Sequence, residues 1–224
     1  MTPERFNKLQ QVLRARQLDL TVVMDWVHKP HNFNAIIRTC DAVGIHETHY
    51  IPVTEGYRPL TNTAKGAQKY VLAHRHENFT EIAGQLKSSG HQLLAAHFSD
   101  QAVDYRTIDY TQPTAIVMGA ELEGVSPTTA EQVDAHILIP MIGMVSSLNV
   151  SVACALILYE AQRQRQLAGM YDQMSFEQDT YEQLLFEWCW PKVADLCRRQ
   201  GRPYPPLDEF GDFKSFNKRS SANT

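Results

Sequence analysis

Hydrophobic positions change their period repeatedly along this chain. Short apolar runs bounded by turn residues fall at Leu20–Val23, His49–Val53, Tyr70–Ala73, Gln92–Phe98, Thr114–Met118 and Ile137–Ile139, the length and boundaries expected of strands. Thr114–Met118 lies between Pro113 and Gly119 with no polar alternation after its first residue, and reads as a central strand buried on both faces. Between these runs, apolar residues recur at helical spacing. Residues 3–17 place Phe6, Leu9 and Leu13 on one face. The segment from Pro30 to Gly44 does so with Ile36, Cys40 and Val43, and Phe79–Ser88 stops before Gly90. Strands alternating with helices over the first 165 residues predict an α/β fold with a mostly parallel sheet, in which ligands bind beyond the carboxyl ends of the strands.

The longest helical pattern begins near Asn149. Val150, Ala153, Cys154, Ile157, Leu158 and Ala161 form one face, and Val152, Leu156 and Tyr159 add a second stripe. A helix apolar on so much of its circumference is expected to be covered on more than one side. After Gly169 the character changes: Tyr181, Leu184, Leu185 and Trp188 sit at helical spacing, and residues 201–206 are proline-rich. Four segments follow. Residues 1–19 form a basic N-terminal helical extension, 20–169 the α/β core, 170–206 a C-terminal helical extension, and 207–224 an apolar-poor tail expected to be disordered.

Composition narrows the class. The 224 residues are 43% hydrophobic and 21% charged, with net charge −4, ordinary for a soluble globular protein. No apolar run approaches the ~20 residues that span a bilayer, and no signal peptide is visible, so the expected location is cytoplasmic. Cys40, Cys154, Cys189 and Cys197 make no Cys-x-x-Cys pair and read as reduced packing residues. The nine histidines include the pairs His28/His31 and His74/His76, which lack cysteine or acidic partners at ligand spacing; no metal is expected. A net negative charge argues against indiscriminate nucleic-acid binding, but a local basic patch suffices for RNA. Arg5, Lys8, Arg14 and Arg16 against the single acid Glu4 read either as a solvated helix face or as such a patch.

Three stretches carry candidate chemistry. In the first, Pro30 forces an extended turn, Asn32 or Asn34 can cap the following helix, and Arg38 can pair with Asp41 at i+3. The second, Gly119-Ala120-Glu121-Leu122-Glu123-Gly124, follows the Thr114–Met118 strand and precedes Ser126-Pro127, a cap and first-turn proline. Alone, two glycines around an acid describe many turns. The third runs Pro140-Met141-Ile142-Gly143-Met144-Val145-Ser146-Ser147-Leu148-Asn149-Val150-Ser151-Val152-Ala153, a loop feeding the long helix. Neither Gly-x-x-x-x-Gly-Lys-Ser/Thr nor Gly-x-Gly-x-x-Gly is present.

In this order, the three stretches resemble the three motifs of the SpoU/TrmH branch of the SPOUT RNA 2′-O-methyltransferases. The likeness covers roughly residues 20–166. Within that branch it is greatest to the tRNA guanosine-18 2′-O-methyltransferases, on Arg14-Ala15-Arg16-Gln17, His28-Lys29-Pro30-His31-Asn32 and Leu158–Arg165. The resemblance implies a SPOUT-type parallel sheet with a C-terminal trefoil knot, a topology that physical reasoning alone would not propose. It also implies a homodimer sharing its sites, S-adenosylmethionine as methyl donor without a metal, and tRNA as substrate.

By the same resemblance, Arg38 is the candidate catalytic group, with Asn32, Glu121, Ser147 and Asn149 orienting it and the ribose. Removing a proton from an arginine at pH 7 costs about 8 kcal/mol, so Arg38 can equally fix a phosphate and stabilise a developing alkoxide. Ala96, Gly119, Gly124, Ile139, Met141 and Leu148 are expected to hold the donor. Arg5, Lys8, Arg14, Arg16 and His31 are expected to meet RNA. Ribosomal RNA or another tRNA ribose, and a non-catalytic RNA-binding role, are the competing readings.

Overall fold

The computed structural model describes residues 1–54, 66–120 and 124–214. These residues divide into two compact units, Arg16–Ser175 and a second made of Met1–Ala15 with the chain from Phe176 onward.

The larger unit is a seven-stranded, wholly parallel sheet. Its strands are β1 (Leu20–Asp25), β2 (Glu47–Ile51), β3 (Leu72–Arg75), β4 (Gln92–Ala96), β5 (Val103–Asp104), β6 (Thr114–Met118) and β7 (Ala135–Leu138), in spatial order β3-β2-β1-β6-β4-β7-β5. Helices α2 (Pro30–Ala42), α3 (Phe79–Ser88) and α4 (Pro127–Gln132) cross between strands of this unit, and α5 (Val150–Leu167) follows the last strand. The central strands carry apolar residues on both faces because both faces are covered. Leu20, Val22 and Met24 of β1 join Ile116 and Met118 of β6 in a core with α2 and α5. Val23, Ala115, Val117, Leu93 and Ala95 point the other way, into a core with Phe79, Ile82, Ala83 and Leu86 of α3. Residues 99–111, between the apolar runs Gln92–Phe98 and Thr114–Met118, contain β5 and a 3-10 turn at Tyr105–Thr107. A two-residue strand is too short to show a period.

Local signals for helix ends hold in most places. Asn78, Ser126 and Asn149 cap α3, α4 and α5 with their side chains. Helix α2 differs: it starts at Pro30, with Lys29 at the cap and no side-chain cap bond. Asn32 and Asn34 therefore lie inside the helix, where the Asn34 amide donates back to the Pro30 carbonyl at 2.7 Å. The pairing of Arg38 with Asp41 is also replaced. Asp41 instead accepts from Arg16 at 2.6 Å, and Arg16 donates a second bond to the Ile45 carbonyl at 2.8 Å. Arg165 is buried in the same way, donating to Asp19, Gln17 and the Tyr110 and Gln112 carbonyls. All four cysteines are free and buried, and burial pushes the Cys154 thiol up to about 12, which leaves it protonated and inert.

The smaller unit joins α1 (Pro3–Arg14) to α6 (Gln178–Cys189) and α7 (Pro191–Gln200). Helix α1 is shorter than the 3–17 expected. The expected disordered tail is also corrected in part. Leu207 and Phe213 form an isolated antiparallel bridge, Trp190 donates from its indole to the Gly211 carbonyl at 2.8 Å, and the Met1 amino group meets Asp212 at 3.0 Å. Tyr204 stacks on Phe186, and Phe213 lies against Trp190. Few apolar residues thus suffice to order residues 207–214, because those present are aromatic. Residues 215–224 lie outside the described residues. No helix among the described residues is long and apolar enough to cross a membrane.

Candidate active site

A cavity of about 650 Å³ opens where the carboxyl ends of β4, β6 and β7 meet the loop before α5. Residues 96–98 leave β4, 118–120 and Gly124 follow β6, and 137–139 end β7. Met141, residues 143–148 and the first turns of α5 close the remainder. Its size falls in the range of small-molecule sites. All six expected donor-binding residues, Ala96, Gly119, Gly124, Ile139, Met141 and Leu148, line it.

The turn after β6 explains its glycines. Ala120 and Gly124 exchange backbone bonds at 2.8 and 3.0 Å, folding the segment onto itself. A Cβ on Gly119 would lie 2.1 Å from the Gly124 carbonyl carbon, a distance no side chain tolerates. Gly124 has φ +70°, the left-handed region that favours glycine. The far end of this turn is pinned to β1, where Ser126 donates its backbone N–H to the buried carboxylate of Asp25 at 2.9 Å. That anchor was not legible in the sequence, because Asp25 is 101 positions away from its partner. Glu121 lies outside the described residues.

At the edge of the cavity, the two asparagines of the first and third stretches meet. Asn149 donates its side-chain amide to the Asn32 oxygen at 3.1 Å, while its own oxygen accepts from the Ser151 backbone and hydroxyl at 2.9 and 2.6 Å. Asn32 is buried; Ser147 is exposed on the cavity wall. Arg38 is not brought to this point. Six helical residues place it about 9 Å along α2 from Asn32 and about 120° around the axis. It is exposed, and among the described residues it makes no hydrogen bond or ion pair.

Among the described residues lining the cavity, the polar side chains are His97, Ser146 and Ser147. The His97 ring meets His136 edge-on at 5.2 Å. Burial, with a smaller contribution from His136, lowers the His97 pKa below its ordinary value, so the ring is neutral at pH 7. Sequence reasoning does not single out the His97 side chain, because nothing beside it in the chain marks it as a group facing the cavity.

The expected RNA-binding cations separate. Arg5, Lys8 and Arg14 are exposed on α1, Arg14 lying over the Tyr181 ring at 5.1 Å, and His31 is exposed on α2. Arg16 is fully buried and committed to Asp41 and Ile45, so it does not belong to a phosphate-binding surface. Arg14 and Arg16 look alike in the sequence; only the fold tells them apart. The histidines do have acidic neighbours in space, Glu47 3.4 Å from His74 and Glu81 3.8 Å from His76. Among the described residues, however, no three metal-ligating side chains converge.

Comparison with known proteins agrees with this geometry. The model of the SpoU rRNA Methylase family matches residues 19–159, and that of the SpoU rRNA methylase C-terminal region matches residues 163–215. The chain is 47% identical to the tRNA (guanosine(18)-2′-O)-methyltransferase of Escherichia coli (strain K12), covering 96% of this chain and 95% of that protein. The crystal structure of the A. aeolicus TrmH/SpoU tRNA modifying enzyme superposes with TM-score 0.79 at 41% identity, covering 85% of this chain and 97% of that one. The SpoU methyltransferase AviRb from Streptomyces viridochromogenes, solved in complex with the cofactor AdoMet, gives TM-score 0.60 at 30% identity over 67% of this chain and 59% of that one. The chain belongs to the SpoU rRNA methylase family.

Proposed function

We propose that this protein transfers the methyl group of S-adenosylmethionine to the ribose 2′-hydroxyl of a tRNA, with guanosine 18 of the D-loop as target. The observation that carries the reading is the convergence of all six expected donor residues on one cavity. Near-full-length similarity to an enzyme named for guanosine 18 supports the choice of tRNA over ribosomal RNA.

The cavity fits the donor. Its lining is mostly apolar, suited to an adenine ring, and glycine at 119 and 124 lets the chain after β6 close tightly on itself and against His97 at the cavity wall. The donor supplies a methyl group on a positively charged sulfur that leaves as a neutral thioether, so the protein need not activate it. What remains for the chain is to place the ribose oxygen in line and to manage its proton. The Asn32–Asn149 bond fixes the start of α2 against the start of α5, holding the first stretch to the cavity edge. Arg38 serves as the cation for a phosphate or for the developing alkoxide.

A homodimer belongs to the same proposal. Val152, Leu156 and Tyr159 of α5 are 48%, 42% and 53% exposed in the single chain, so the second apolar stripe awaits a cover. Arg38 lies away from its own chain's cavity lining, as a site completed by a second subunit requires. The C-terminal trefoil knot is likewise carried over from the resemblance, supported by β7 lying between β4 and β5 with α5 returning to pack on α2. The exposed cations of α1 supply a phosphate-binding face, and the cytoplasm is the expected location.

The test incubates the protein with labelled S-adenosylmethionine and an unmodified tRNA transcript, then maps the label. A 2′-O-methylguanosine at position 18 is expected. Label on ribosomal RNA alone would replace the substrate, and donor binding without transfer to either RNA would favour a non-catalytic role.

A further inference from the structure

His97 holds a position that the reaction as described does not use. It is the one titratable side chain among the described residues lining the donor cavity. Its backbone N–H donates to the Ile137 carbonyl at 3.2 Å, tying it to the end of β7. Its Nδ1 lies 3.0 Å from where a Cβ on Gly124 would stand, so the ring covers the turn that follows β6.

Its neighbour is itself fixed. His136 donates from Nε2 to the Ala130 carbonyl at 3.1 Å, and its Nδ1 shares a hydrogen bond with the Ser99 hydroxyl at 2.7 Å. Both ring nitrogens are thus occupied. His136 therefore offers His97 a ring edge and no acceptor for a charge-assisted bond. The loop 139–148 and the first two turns of α5 carry no charged residue. On the strand-end segment of His97 the nearby acid is Asp100, which is exposed. The turn after β6 contributes Glu121 and Glu123 in sequence, outside the described residues.

We propose that the His97 imidazole is a donor-site residue that sets how the cavity weighs the sulfonium donor against its thioether product. The inference rests on the methyltransferase reading above. Donor and product differ chiefly by one methyl group and one positive charge on sulfur. Among the described residues the rest of the wall is uncharged, and a neutral ring there accepts either. An imidazolium in the same place opposes the extra charge of the donor while leaving the product nearly unaffected, because like charges repel strongly where little water screens them. The depressed pKa of His97 keeps the ring in its donor-accepting form at neutral pH.

The experiment measures binding of S-adenosylmethionine and S-adenosylhomocysteine by titration calorimetry between pH 5.0 and 7.0, for the unaltered protein and for His97→Gln. For the unaltered protein, the donor-to-product Kd ratio is expected to rise by about tenfold towards pH 5. In His97→Gln the ratio stays flat. A rise of the same size in the variant, or none in the unaltered protein, overturns the inference while leaving the methyltransferase reading intact. Failure to bind either ligand at any pH overturns both. Should the variant fold poorly, the 13Cε1 resonance of His97 gives the answer in the unaltered chain. Saturation with donor lowers its titration midpoint relative to saturation with product, and equal midpoints sink the proposal.

Discussion

Asn149 donates its side-chain amide to Asn32 across 117 positions of sequence, at 3.1 Å. Asn32 is buried at the start of α2 and Asn149 caps α5, so one bond registers the first and third stretches against each other. Replacing either by alanine leaves the other without this bond and should cost about 1–3 kcal/mol of stability. In a double-mutant cycle read by denaturant unfolding, the two losses should be non-additive. Additive losses would show that the bond is not a coupling.

Arg38 presents the opposite case, an exposed cation with no bond among the described residues. Arg38→Ala should leave the melting temperature and donor affinity almost unchanged and lower turnover by about 100-fold or more. Calorimetry with the donor beside single-turnover kinetics would check this. Equal loss of donor binding and turnover would place Arg38 elsewhere in the mechanism.

Gly119 tests the cavity wall. Its added Cβ meets backbone at 2.1 Å, and backbone cannot rotate away as a side chain can. Gly119→Ala should destabilise by about 2 kcal/mol and abolish measurable donor binding. Retained binding would mean that the turn after β6 does not form the donor site.

The fates of Arg16 and of Arg5 with Lys8 should separate by salt. Arg16→Ala removes both the partner of Asp41 and a bond to Ile45 and should cost about 3 kcal/mol of stability. Arg5→Ala with Lys8→Ala should leave stability alone, lower tRNA affinity, and make its dependence on salt shallower by about one to two phosphate contacts. An unchanged salt slope would remove α1 from the RNA surface.

His49 links stability to pH. Burial first, and His76 beside it at 3.0 Å, lower its pKa from 6.5 to about 3. Below pH 6.5 the unfolded chain binds a proton that the native ring refuses, so stability is full above 6.5 and falls as pH drops towards 3. Across that window His49→Gln should make the fall shallower by about one proton, up to about 1.4 kcal/mol per pH unit. Unfolding midpoints at a series of pH values would show it, and parallel slopes would contradict it.

What the sequence determined by itself was local. The bounds of α3, Phe79–Ser88, and of β6, Thr114–Met118, coincide with their sequence-predicted spans, and Ser126 and Asn149 cap the helices they precede. Each depends on neighbours a few positions away: a period, a cap, a bracketing proline or glycine. The donor residues were legible through the resemblance, whose second and third motifs are short contiguous stretches; alone, the glycines at 119 and 124 describe only a turn. Tertiary structure decided what depends on distant partners. It turned Arg16 inward to Asp41 while leaving Arg14 exposed, moved Asn32 from helix cap to partner of Asn149, and pinned the turn after β6 through Asp25. It also ordered residues 207–214 through Trp190 and Met1. The physical reason is range. Propensities and caps act within a turn of chain, whereas a buried charge or amide takes its role from whichever group the fold sets within about 3 Å of it.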